Sequence, residues 1–118
     1  MTTYNDTVSK YINNLFVVQD PALQDTLEDI PRQGLPTINV KPEEGKFLQF
    51  LVRASGAKKA VEIGTLGGYS GIWIARGLPV GGRLITLEKN PEHAEIARRH
   101  FEKASVADRI EIRLGDAK

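Results

Sequence analysis

The chain has 118 residues, 16 of them basic and 15 acidic, for a formal net charge of +1. This length suits one domain with a single modest core, and the interspersed signs leave no basic stripe for nucleic acid or an anionic membrane surface. The absence of cysteine excludes a disulfide, a thiolate nucleophile and a zinc–thiolate site, and it fits a reducing cytoplasm; no apolar run approaches the ~18 residues of a membrane span.

Residues 1–40 read as an N-terminal helical segment. Asn5 or Asp6 is a candidate N-cap, and Val8, Tyr11, Ile12, Leu15 and Phe16 recur at helical spacing. A second helix is expected to start near Pro21, to carry Leu23, Leu27 and Ile30, and to stop at Pro31. Neither helix shows chemistry of its own, so both are expected to cover the main core or a partner subunit. Gln33 to Val40 is a connector.

From residue 41 the pattern changes. Pro42, Glu43 and Glu44 suit the first turn of a helix, whose apolar face is expected to be Phe47, Leu48, Leu51 and Val52 and whose end is marked by Ser55 and Gly56. Ala60 to Ile63 is a strand apolar enough for the interior of a parallel sheet, apart from the carboxylate of Glu62. Three glycines follow, then a helix carrying Ile72, Ile74, Ala75 and Leu78. Arg83 to Leu87 forms the next strand, ending at Glu88. Asn90 and Pro91 cap a helix with Ala94, Ala97, Phe101 and Ala104 on its apolar face. The third strand, Ile110 to Leu114, alternates with Glu111 and Arg113, as a strand near a sheet edge does. The order α-β-α-β-α-β predicts a Rossmann-like, doubly wound α/β sheet.

Ligands of such sheets bind beyond the carboxyl ends of the strands. Here those ends read Glu62-Ile63-Gly64, Glu88 and Gly115-Asp116-Ala117. Glu88 stands about 20 residues past the last glycine of the turn, the spacing at which an acid accepts both ribose hydroxyls; the alternative is a solvated strand end or a partner for Lys89. A GxGxxG fingerprint fails at Leu66, and a Walker A loop fails at Gly68-Tyr69-Ser70. A carboxylate placed before the turn, at Glu62, suits a cationic group such as an amino-acid ammonium better than a diphosphate. His93 and His100, seven apart with arginines beside His100, are expected on the solvated face of their helix and not at a metal. Asp108 reads as a turn residue, and no nucleophile elbow is present.

Val61-Glu62-Ile63-Gly64-Thr65-Leu66-Gly67-Gly68-Tyr69-Ser70, Leu87-Glu88-Lys89-Asn90 and Gly115-Asp116-Ala117 together resemble the S-adenosylmethionine-binding motifs of class I methyltransferases. With Lys41-Pro42-Glu43-Glu44-Gly45-Lys46-Phe47-Leu48 upstream, they are similar to the metal-dependent O-methyltransferase family that includes catechol and caffeoyl-coenzyme A O-methyltransferases. The resemblance runs from about residue 38 to the C-terminus. It implies that Gly64 and Thr65 line the methionine part of the cofactor, that Ser70 binds its carboxylate and that Glu62 holds its amino group. Glu88 would take the ribose hydroxyls, Asp116 and Ala117 would border the adenine, and the backbone of Val40 would touch the cofactor. Lys41 falls where the family places residues near the substrate.

The family's sheet has seven strands, of which three are present, so residues 41–118 correspond to its N-terminal, cofactor-binding half. The divalent metal (Mg or similar) and substrate residues of the family follow the third strand, so a metal is expected only in a full-length member. The resemblance implies methyl transfer to a hydroxyl of a small catechol-like or phenylpropanoid-like acceptor; a non-catalytic binding or assembly module on the same half-fold is the alternative, and a nicotinamide enzyme a third. Because the first strand is central in the family, it is expected here as an open apolar edge that pairs with another copy, giving a homodimer.

Overall fold

The structure is a computed structural model that describes residues 5–117. Helix α1 (Asp6–Phe16) is capped by Asn5, whose side chain accepts the Val8 N–H at 3.0 Å. Helix α2 (Pro21–Arg32) is capped in the same way by Asp20 through the Leu23 N–H. It runs through Pro31 instead of stopping there. Proline lacks its own donor, but the Gln33 N–H still reaches the Asp29 carbonyl at 2.9 Å, which completes the last turn.

Helix α3 (Pro42–Ser55) ends at Gly56 in the left-handed conformation (φ 67°), as a helix C-terminus favours. Strands β1 (Lys59–Ile63), β2 (Arg83–Glu88) and β3 (Ile110–Leu114) alternate with helices α4 (Tyr69–Gly77) and α5 (Pro91–Lys103), and a single 3₁₀ turn (Ala107–Arg109) precedes β3. The strands are parallel in the order β1-β2-β3, with Glu62 opposite Thr86 and Thr86 opposite Ile112. β2 is therefore central among the described residues. β1 keeps an open edge, with Val61 63% and Ile63 74% exposed.

The core lies between the sheet and its helices, built on Leu23, Ile30, Ile72, Leu84, Ala97 and Phe101. Full burial of each large apolar side chain contributes roughly 1.5–3 kcal/mol. The apolar face expected for α3 is only half realised: Phe47 is 58% and Leu51 46% exposed, while Glu43 and Gly45 are its buried residues. The reason is the contact with α4. A Cβ on Gly45 would stand 2.2 Å from Cδ1 of Trp73, so the backbone of α3 lies directly on that indole and the contact sets its rotation. α1 buries none of its residues and is tied to α3 by polar contacts, the Ser9 hydroxyl and the Asn13 amide both donating to the Glu43 carboxylate.

Candidate functional site: a carboxylate-flanked glycine turn

The parallel sheet brings the end of β1, the turn after it and the end of β2 to one rim. Glu62 projects from β1 into a set of hydroxyls. Thr86, its register partner on β2, donates to Glu62 Oε1 at 2.9 Å, and Ser70 in the first turn of α4 donates to Oε2. Because Thr86 gives its hydrogen to Glu62, Thr65 must be the donor in the 2.7 Å contact between the two threonines. Burial pushes the Glu62 carboxyl above its ordinary value of 4.5, with the Ser70 and Thr86 hydrogen bonds pulling partly back.

The turn itself is gripped from both sides. Glu88, only 8% exposed, accepts the Leu66 N–H on Oε1 and the Asn90 N–H on Oε2, both at 3.0 Å. Leu66 stands at φ 51°, a conformation that a side chain normally resists, so this bond holds a strained residue in place. Gly68 follows at φ 89° and closes the turn with an N–H bond to the Thr65 carbonyl at 3.0 Å. A Cβ there would meet the Phe101 ring at 2.7 Å, so glycine is required both for its angle and for its neighbour. The alternative of a solvated strand end for Glu88 is thereby overturned.

The histidines also differ from expectation. His100 is 2% exposed, with Nδ1 2.6 Å from the Gly67 carbonyl oxygen and Nε2 2.8 Å from Asp29 Oδ2. α5 turns this side inward because Ala97, His100, Phe101 and Ala104 form one face, and the adjacent arginines point away. His93 is half-buried, its Nδ1 3.8 Å from Glu88 Oε2.

A cavity of about 720 Å³ opens on this rim, within the range of small-molecule sites. Six of the residues picked from sequence line it: Val40, Glu62, Gly64, Thr65, Ser70 and Glu88. Asp116 and Ala117 are not among its walls. They border a neighbouring cavity of about 250 Å³ that shares Ile63, Gly64 and Glu88 with it. The sequence reading missed Thr86 and His93. A polar residue within the apolar middle of β2, placed opposite Glu62 by register, was the available signal for Thr86; His93, three residues past the Asn90 cap, had none before α5 was placed.

Residues 14–118 match the family model described as O-methyltransferase. The chain belongs to that family. It is 44% identical over 112 residues to a catechol O-methyltransferase of Niastella koreensis, covering 95% of this chain and 51% of the relative. Against a catechol O-methyltransferase of Mycobacterium tuberculosis it is 46% identical over 110 residues, covering 93% and 50%. Among solved structures, the O-methyltransferase from Bacillus cereus in complex with SAH superposes with a TM-score of 0.91 at 47% identity, covering 94% of this chain and 50% of that one. The chain thus spans about half the length of the curated relatives it matches. The Rossmann-like fold and the likeness to catechol and caffeoyl-coenzyme A O-methyltransferases read from the motifs both hold.

This O-methyltransferase-family chain lines one cavity with the carboxylates of Glu62 and Glu88 and with Ser70 at the start of α4, a set that fits a ligand with an ammonium, a carboxylate and a ribose. The fit does not extend to a metal. Among the described residues no three histidine, aspartate or glutamate side chains come together in a way that could hold an ion.

Proposed function

We propose that this chain is the S-adenosylmethionine-binding half of an O-methyltransferase acting on a hydroxyl of a small, catechol-like or phenylpropanoid-like acceptor. The observation that carries the reading is Glu62, a half-buried carboxylate within β1 that faces the same cavity as Glu88. In this reading residues 41–118 form the cofactor half and residues 1–40 cover it.

S-adenosylmethionine, when bound, supplies a methyl group on a positively charged sulfur. Glu62 binds the ammonium of its methionine part, and Gly64 and Thr65 form the wall alongside. The first amides of α4, at Ser70, have no partner within the helix and receive the carboxylate. Glu88 accepts the ribose hydroxyls on the lone pairs that Leu66 and Asn90 leave open, Val40 touches the cofactor through its backbone, and Asp116 and Ala117 border the adenine. Gripping the ligand at both ends fixes its orientation, which is the main contribution that a binding half makes to rate.

Calorimetric titration with S-adenosylhomocysteine and, separately, with NAD tests the reading. Heat with the former, weakened at least tenfold in Glu62→Gln and Glu88→Gln, supports it; no heat with the former, or equal binding of NAD, overturns it. The open edge of β1 favours a further assignment, a homodimer paired through Val61 and Ile63. An assembly module without cofactor chemistry would keep that edge and show no heat.

A further inference from the structure

The pair His100–Asp29 lies behind the glycine turn, opposite the cavity. Nδ1 of the ring faces a carbonyl oxygen, Gly67 O at 2.6 Å, and Nε2 faces a carboxylate oxygen, Asp29 Oδ2 at 2.8 Å. Neither partner can donate while Asp29 is ionised. The Asp29 carboxyl is held below its ordinary value first by its hydrogen bond from His100, with Gln33 and the charge of Lys103 acting the same way against partial desolvation. Both ring nitrogens thus face acceptors, an arrangement that two ring N–H groups satisfy. A neutral ring would turn a lone pair toward one of the two oxygens and lose that contact.

We propose that His100 is a positioning residue for cofactor binding, its doubly protonated ring tying the Gly67 carbonyl to Asp29 of α2 and so holding the turn in its binding shape. The inference rests on the reading of the cavity as the cofactor site. It makes α2 part of that site, although no residue of α2 lines the cavity. Glu88 pulls on the Leu66 N–H from the front and His100 on the Gly67 carbonyl from behind, so consecutive residues of the strained turn are fixed from opposite sides. Among the groups around the ring, Asp29 faces it from α2, Lys103 of α5 acts on Asp29, and the turn presents only the Gly67 carbonyl.

The pair predicts a pH profile that packing alone would not produce. As pH is raised, affinity for S-adenosylhomocysteine falls roughly tenfold or more once only one ring nitrogen donates, the loss expected for a hydrogen bond to a charged group. In Asp29→Asn the amide can donate to an unprotonated Nε2 while Nδ1–H keeps Gly67, so the neutral ring is satisfied and the fall is abolished. His100→Gln binds weakly at every pH. His93→Asn, which removes the imidazole that lines the cavity, leaves the fall in place. A flat wild-type profile, or the same fall in Asp29→Asn as in the wild type, overturns the proposal.

Two measurements need no ligand. Nitrogen chemical shifts of the wild-type ring show two protonated nitrogens at the acidic end of the binding profile, and amide exchange at Leu66 and Gly68 is faster in His100→Gln than in the wild type while β2 is unchanged. One unprotonated ring nitrogen there, or equal exchange at the turn, overturns the positioning role even if the wild type binds no S-adenosylhomocysteine, an outcome that would instead defeat the reading of the site.

Discussion

Glu62 is ionisable, half-buried and surrounded by hydroxyls, so its two tasks pull against each other. Its carboxyl is raised above 4.5 by burial, which means that the folded state holds the proton more tightly than the unfolded chain does. The stability it contributes is fully present below 4.5 and is lost as pH rises through the folded value. Binding runs the other way, because only the carboxylate pairs with an ammonium: affinity for S-adenosylhomocysteine should fall as pH is lowered through the raised Glu62 value. Glu62→Gln keeps an acceptor for the hydroxyls and removes the charge. It should melt at a higher temperature than the wild type at neutral pH, bind at least tenfold more weakly, and lose the acidic limb of the binding profile; calorimetry across pH reads all three. The carboxylates at 62 and 88 were legible because a charge in an apolar strand and a spacing of about 20 residues are local signals. His100 was not: its burial depends on α2 docking Asp29 against α5, and the flanking arginines gave the opposite local signal.

Among the elements, the ends were easier to read than the faces. Asn5, Pro42, Gly56, Asn90 and Pro91 act within one turn of themselves, and each stands at the helix boundary expected of it. The apolar stripe of α3 misled because a close contact with Trp73, invisible in any one segment, decides which side turns inward. Gly45→Ala tests that contact. Alanine improves helix propensity by up to about 1 kcal/mol, yet its methyl group would have to displace the indole, and overpacking of this kind costs about 1–3 kcal/mol. A lowered denaturant midpoint with a shifted Trp73 emission is expected. α2 is anchored differently: Asp20 caps it and also pairs with Arg76 of α4 at 2.8 Å. Asp20→Ala should cost about 1 kcal/mol or somewhat more, chiefly through the cap, as read from the same midpoint.

At the scale of the molecule, the three parallel strands were predicted from the alternation of elements, and the open edge of β1 follows from the same order. Sedimentation should show association that rises with concentration, and Val61→Lys, which puts a charge on that edge, should suppress it. A wild type that stays monomeric at high concentration would remove the homodimer assignment. The strand register also bears on how the chain reaches this fold. Lys59 pairs with Arg83, and Leu84 with Ile110, so no two adjacent strands can meet until the helix between them has brought the chain back. Closing those loops precedes any reward from pairing. Weakening α4 should therefore slow refolding, whereas loosening α1, held to the rest by Glu43 and burying nothing, should leave the refolding rate alone and show up only as faster unfolding in a chevron plot.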